Sequence, residues 1–438
     1  HYNQYVAQSE SVKVTSLEKS RLLRLPSEKV AALLVRFQEW DPGADQTARE
    51  KFRFWERILL VLQYGSSLFH LFRLAPEVRI SLLQRMFYEV HSRELRERVR
   101  LLEEELAMVR FDEKLARLQE RSMQILCDML GERYNDKPRT IFTFHDLRQN
   151  TAVFLEQYPV VLSTTFSVIT AVKSGHVFDC VIVDEASQVD LLNGVLALGC
   201  AKKMVVVGDP MQLPNVVTRQ MGDLAKRIAG RYMLPDAMRF ESQTLLSSIQ
   251  AVFSRAPQTM LREHYRCHPK IIQFCNQKFY NGELLVMTRD AGETDVLGAY
   301  VTVAGNHARG TSNQRQIDEI VRTVIPDLGE VALEEIGIVT PFRAQAAQLM
   351  IRIGNQDVEV KTVHKYQGRE KKIMILTTVS NETNDFIDNP NLLNVAVSRA
   401  QEKLRLVVSH EIAEGTGNIA DLVRYIRYCN CEVTEGKV

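Results

Sequence analysis

The sequence predicts an α/β protein built on parallel sheets, preceded by an all-helical block, and three observations carry that expectation. From about residue 151 onward, short β-rich runs alternate with helical segments, the pattern of parallel sheets covered by helices. Residues 26–150 have another texture: they are rich in Leu, Arg, Glu and Phe, and poor in Gly and in β-branched runs. Two of the apolar runs beyond 151 end in polar turns, Asp184-Glu185 and Gly208 to Pro214. The carboxyl end of a parallel strand is where open α/β sheets gather their ligands.

Within the helical block, Leu95, Val99, Leu102, Leu106 and Val109 recur at alternating steps of four and three residues, with Arg and Glu between them. That spacing predicts an amphipathic helix and a short antiparallel coiled coil. Residues 52–72 (FRFWERILLVLQYGSSLFHLF) form a second apolar helical stretch. Packing of the block on itself accounts for this composition, and an arm that docks a protein partner is the sharper alternative. The strands expected downstream are Val160–Ser163, Cys180–Val183, Met204–Val207, Tyr300–Val303, Ile336–Val339, Ile373–Thr377 and Leu404–Val408. A break near 250–262 (IQAVFSRAPQTML) separates two α/β regions. The resulting division is 1–25, 26–150, 151–258 and 259–438, with no internal repeat and no low-complexity tract.

A net charge of +1 gives no global signal for a polyanionic partner, so nucleic-acid binding would come from local grooves. Seven scattered cysteines, with no paired C-x-x-C, read as reduced thiols in a cytosolic compartment. Cys429 and Cys431 read as two ordinary thiols rather than metal ligands. No apolar run is long enough to span a membrane. The opening HYNQYVAQSE has neither a start Met nor a signal-like apolar core, and suggests a piece of a longer chain.

Asp184 and Glu185 end the run Cys180-Val-Ile-Val. One carboxylate in such a place can hold Mg²⁺ while its neighbour orients and deprotonates an attacking water. Carboxylates end many strands, and the extension Asp-Glu-Ala-Ser-Gln adds weight here. The turn Gly208 to Pro214 (GDPMQLP) projects Gln212, whose amide suits a terminal phosphate oxygen or the lytic water; a plain strand exit is the competing account. Arg266, in LREHYRCHP, and Arg399, in LLNVAVSRA, suit neutralisation of a transferring phosphoryl group across a cleft. A lone arginine is by default a surface or salt-bridge group. In KTVHKYQGRE, Gly368 permits close backbone approach, Thr362 and His364 suit phosphate contacts, and Glu370 can accept from a ribose hydroxyl. Ser163, Thr164 and Thr165, and the segment Thr340-Pro341-Phe342-Arg343, offer hydroxyls and backbone N–H groups to the phosphates of a strand. Phe342 suits stacking on a base and equally a place in the core.

Taken in order, DEASQ, GDPMQLP, LREHYRCHP, FCNQKFYNGEL, IGIVTPFRAQ, TVHKYQGRE and LLNVAVSRA resemble the motifs of superfamily 1 helicases. The match is closest to the branch of the nonsense-mediated-decay and Okazaki-fragment helicases, and it covers about 159 to 409. The resemblance implies two RecA-like domains with an all-helical insertion in the first, ATP and Mg²⁺ in the cleft, and single-stranded DNA or RNA across the top. It implies Asp184 as the Mg²⁺ ligand, Glu185 as the catalytic base, Gln212 as the γ-phosphate sensor, and Arg266 and Arg399 as arginines facing the phosphates. Gly368 and Glu370 then line the nucleotide, and Thr165, Thr340 and Thr362 touch the nucleic-acid backbone. Movement from 5′ to 3′ and a cytoplasmic (or, in a eukaryote, nuclear) location follow as expectations of the family.

The departure from the family lies upstream. No G-x-x-x-x-G-K-[ST] loop occurs in the 438 residues, nor does the adenine-reading Gln segment. His1 to Val6 resembles only faintly the motif that follows such a loop. The phosphate loop and its strand are therefore expected ahead of this sequence, and a first sheet without that strand should expose an apolar gap. The competing reading is a non-hydrolysing module, derived from a helicase, that binds nucleic acid or protein. Intact Glu185, Gln212, Arg266 and Arg399 favour the motor over that module.

Overall fold

The computed structural model describes residues 21–40, 60–64, 68–72, 76–135, 138, 140–305 and 307–436. The first 20 residues of the expected 1–25 segment, and most of the 52–72 stretch, lie outside the described residues. The chain forms two compact units, His1–Pro138 and Arg139–Val438.

All the described secondary structure of the first unit is helical. Helix α1 (Ser27–Trp40) packs on the long α2 (Pro76–Met108), and α3 (Phe111–Tyr134) follows. The core lies between α1 and the N-terminal half of α2: Val30, Leu33 and Phe37 meet Leu68, Leu71, Leu83 and Met86. Leu23 and Leu25 also pack on this cluster. Arg110, with φ 50°, joins α2 to α3 in the left-handed region, and the two helices meet only around this junction. No residue of α3 is buried.

The second unit is α/β. Its N-terminal part pairs β1 (Phe178–Val183) in parallel with β2 (Ala201–Val206), bridged by α4 (Leu191–Leu198). Asp190 caps α4 by accepting from the Asn193 amide. After α5 (Leu245–Val252) and α6 (Pro269–Phe279) come β3 (Leu297–Thr302), β4 (Ile336–Thr340), α7 (Arg343–Ile353), β5 (Glu359–Thr362) and β6 (Lys371–Thr377). Helix α8 (Pro390–Val397), β7 (Ala400–Ser409), α9 (Asn418–Tyr428) and β8 (Glu432–Glu435) complete the chain. The six strands β3 to β8 form one parallel sheet in the order β8-β3-β7-β6-β4-β5. β3 and β4 are buried along their whole length, and the strands carry near-continuous apolar runs, as sheets covered on both faces require.

Six of the seven expected strands occur, each longer than expected, although those expected to end at Val207 and Val303 each stop one residue earlier. Val160–Ser163 is the correction: these residues form no strand. No described strand lies beside them, and Val160 and Leu162 are exposed, Leu162 at 93 %. A β-branched run without a pairing edge has nothing to satisfy its backbone groups as a strand. Among the described residues, no helix is long and apolar enough to cross a membrane.

Candidate nucleotide site between two sheet edges

Asp184 and Glu185 leave the C-terminal end of β1, as the sequence predicts. Glu185 takes a left-handed conformation (φ 52°), uncommon for a residue with a side chain. The bend lets its amide donate to Asp184 Oδ1 at 2.9 Å, while Gln188 Nε2 donates to Glu185 Oε2 at 3.1 Å. The turn after β2 lies against this bend: the Ala186 amide donates to the Val207 carbonyl at 2.9 Å. Gly208 has no spare room, since a Cβ there would stand 3.1 Å from both the Ser187 nitrogen and Leu246 Cδ2.

The following Asp209 organises the turn. Its Oδ1 accepts from the Met211 amide at 2.8 Å, and its Oδ2 accepts from Gln212 Nε2 at 3.2 Å and from the Tyr280 hydroxyl at 2.6 Å. Asn394 Nδ2 donates both to that hydroxyl and to the Met211 carbonyl, each at 2.8 Å. Asn391 Nδ2 donates to the carbonyls of Pro210 (3.0 Å) and Gln212 (2.6 Å). Burial first, and then the Asp209 carboxylate, push the Tyr280 phenol far above its ordinary value, so it stays a donor.

Gln212 Oε1 receives Arg399 Nη2 at 3.1 Å and Gln367 Nε2 at 3.4 Å. Arg399 is 3 % exposed and precedes β7, and its other hydrogen bonds go to the Val395 and Arg369 carbonyls. Burial, then the charge of Arg266, holds its guanidinium below the ordinary value, and the carboxylates of Glu185 and Glu370 act in the opposite sense. An arginine stays charged regardless. A buried cation bonded only to neutral oxygens is a receptor for an anion. With Asp184 and Glu185 beside it, this donor set fits the terminal phosphate of an Mg²⁺-bound nucleotide.

Arg266 pairs with Glu370, and Gln401 Nε2 donates to the other Glu370 oxygen at 2.8 Å. Gly368, with φ 77°, makes the turn that leads into Glu370 and β6. The predicted residues thus separate. Arg399, Gly368 and Glu370 stand at the N-terminal edge of the six-stranded sheet, whereas Asp184, Glu185 and Gln212 stand at the C-terminal edge of β1–β2.

The strand-contact residues lie elsewhere. Thr340 ends β4 and is paired in register with Thr362 at the end of β5, so both stand at the C-terminal edge of the six-stranded sheet. Pro341 and Phe342 follow, and Phe342 packs on the core and against Phe386, with ring centroids 5.3 Å apart. Burial lowers the His364 imidazole from its ordinary value. Ser163 and Thr164 are exposed and Thr165 is half-buried in the turn before a short helix, where Thr164 Oγ1 accepts from the Ser167 amide. A different group, His268 with Asp290 and Glu293, is already occupied: Lys270 binds Asp290 at 3.4 Å, and His268 Nδ1 accepts the Lys270 amide, leaving Nε2 to donate toward Glu293.

Sequence reasoning passed over Asp209, Tyr280, Asn391 and Asn394. Asp209, Tyr280 and Asn394 lie in the GDPMQLP, FYNGEL and LLNVAVSRA segments and Asn391 just ahead of the last, but nothing in a linear reading joins residues 71 to 183 positions apart.

Two family models match, each described as "AAA domain", over residues 72–220 and 301–411, more than half of the chain between them. Over 285 residues the chain is 28 % identical to "5'-3' DNA helicase ZGRF1" of Mus musculus, covering 60 % of this chain and 14 % of that protein. It is 28 % identical to "DNA replication ATP-dependent helicase/nuclease DNA2" of Gallus gallus, covering 57 % of this chain and 25 % of that one. Against "Uncharacterized ATP-dependent helicase MJ0104" of Methanocaldococcus jannaschii the identity is 23 %, covering 62 % and 42 %. The chain therefore spans between about one-seventh and two-fifths of the length of these relatives. Among solved structures, "The structure of PRRSV helicase" aligns with a TM-score of 0.30 at 15 % identity, over 53 % of this chain and 35 % of that one.

Proposed function

The chain belongs to the superfamily 1 helicases, and from that premise we propose that it carries the catalytic and strand-gripping parts of an ATP-dependent helicase or translocase on single-stranded nucleic acid. One observation carries the reading: Arg399, buried without a carboxylate partner among its hydrogen bonds, holds Gln212 beside the Asp184-Glu185 bend, from 187 residues away. ATP with Mg²⁺ supplies the phosphoryl group whose transfer drives movement. Asp184 would hold the metal, and Glu185, aimed by Gln188, would take a proton from the attacking water. Gln212 and Arg399 would contact the terminal phosphate, and Arg266, released from Glu370, would join them.

In this reading 151–258 and 259–438 are the two RecA-like domains, and 26–150 is an insertion in the first. Thr165, Thr340, Thr362 and their neighbours grip the backbone of a strand, which leaves the choice between DNA and RNA to small differences at the sugar. Movement from 5′ to 3′ and a cytoplasmic or nuclear place of action belong to the same proposal. Unwinding of duplexes tailed at one end or the other, and imaging of a tagged chain, test these two points.

The principal test is ATP turnover by the chain with and without single-stranded DNA and RNA, beside Glu185→Gln and Arg399→Ala. Strand-stimulated turnover that falls by roughly 10³-fold or more in both variants is the expected result. The second reading is a non-hydrolysing module, derived from a helicase, that binds nucleic acid or protein. Strand binding with no turnover and no affinity for Mg-ATP would establish that reading and overturn the first.

A further inference from the structure

The C-terminal half of α2 carries an apolar seam that no described residue of the first unit covers. Leu95, Val99, Leu102 and Leu106 are each exposed, although α2 is firmly seated at its other end by Leu82, Leu83 and Met86. Helix α3 does not cover the seam, since it meets α2 only around Arg110.

The charges around the seam differ by face. On the far side, Arg100 is satisfied within the helix by Glu97 and Glu104. The four charges bordering the seam, Arg96, Arg98, Glu103 and Glu105, are exposed and have no ion pair or side-chain hydrogen bond among the described residues. With Val99 and Leu106 as first positions of a heptad and Leu95 and Leu102 as fourth, these four are the flanking positions that select partner and orientation in coiled coils. They fall into two blocks, positive toward the N-terminus and negative toward the C-terminus.

We propose that α2 pairs antiparallel with α2 of a second copy of this chain. Centring the pair between Arg100 and Leu101 stacks Leu95 on Leu106 and Val99 on Leu102, and symmetry repeats both layers. The same register sets Arg96 beside Glu103 and Arg98 beside Glu105 of the second copy, four complementary pairs in all, with no like charges meeting at the dyad. The overlap of residues 93–108 spans roughly 24 Å. Antiparallel pairing also keeps the two α1–α2 cores at opposite ends, whereas parallel pairing crowds both at one end and, of the four flanking charges, matches only Arg98 with Glu103 and leaves Arg96 facing His91. Helix α3 fails the same examination. Its stripe of Leu118, Ile125 and Met129 has Ser122 in the seam, and two of its four flanking positions, Gln119 and Leu126, carry no charge. This pairing stands whether or not the chain hydrolyses ATP.

The test is the solution mass of the whole chain by sedimentation over a rising concentration series. The wild type should move from 50.1 kDa toward twice that mass. Arg96→Glu with Arg98→Glu, which makes every flank acidic, should stay at the single-chain mass, as should Glu103→Arg with Glu105→Arg. Mixing the two variants should restore the doubled mass. All four sites are exposed and helical, and Glu and Arg are both good helix formers, so an unchanged helix signal certifies the fold. A wild type that stays monomeric, a variant that still doubles, or a mixture that fails to pair would each overturn the proposal.

Discussion

The two α/β regions of the second unit differ in how far each supports itself. β3 and β4 are buried throughout, and β6 and β7 over most of their length, between α-helices on both faces of a six-stranded sheet. Among the described residues β1 and β2 pair only with each other, and Ile182 is 68 % exposed, with Met204 and Val205 exposed on the adjacent strand. Yet the less supported region carries Asp184, Glu185 and Gln212. The better packed region compensates at one place. Tyr280, Asn391, Asn394, Gln367 and Arg399 all bond the turn at 209–212. The site is therefore ordered from outside the sheet that bears it, and anything that moves the second region moves Gln212. Under the proposed function, that coupling would link events at the nucleotide to movement of the second region.

Breaking the stronger region should cost most. Ile375, fully buried in β6, should lose about 2–5 kcal/mol of unfolding free energy when changed to Ala, read from urea unfolding. Tyr280→Phe removes the hydroxyl shared by Asp209 and Asn394 and should cost about 1 kcal/mol, together with a measurable loss of strand-stimulated turnover. A pH series sharpens the comparison at its seam. Burial, then the charge of Arg266, holds the His264 imidazole at about 4, where it accepts the Cys267 amide at 2.9 Å. Because its folded value is depressed, its contribution is complete above about pH 6.5 and is lost as pH falls toward 4, where the unfolded chain takes the proton first. His264→Gln should flatten the melting temperature over that window; an equal slope in both proteins would refute this assignment. The smallest effect belongs to the weaker region: Ile182→Ala should stay within about 0.5 kcal/mol of the wild type.

Much of this architecture is legible in the sequence because parallel buried strands announce themselves as apolar runs, and Ile336–Val339, Ile373–Thr377 and Leu404–Val408 need no neighbour to be seen. Val160–Ser163 shows where that reading stops, since an apolar run becomes a strand only if an edge is free to receive it. In the site, Asp184 stands out because it follows a strand directly, and Gln212 because it lies in the turn that leaves the next one. The partnership of Gln212 with Arg399, and the hold of Tyr280 on Asp209, are set by how two regions pack, and no local pattern encodes a pairing over such distances. The pairing of Arg266 with Glu370 was hidden for the same reason, although each residue was singled out.

The central claim, that the six-stranded region holds the turn at 209–212 of its neighbour, is tested most directly by hydrogen exchange over residues 208–214 in the wild type, in Tyr280→Phe and in Asn394→Ala. Faster exchange at Met211 and Gln212 in both variants, with the β1 and β2 amides unchanged, is the predicted result. Unchanged exchange in that turn would mean that it holds its own shape, and the dependence of Gln212 on the second region would be contradicted.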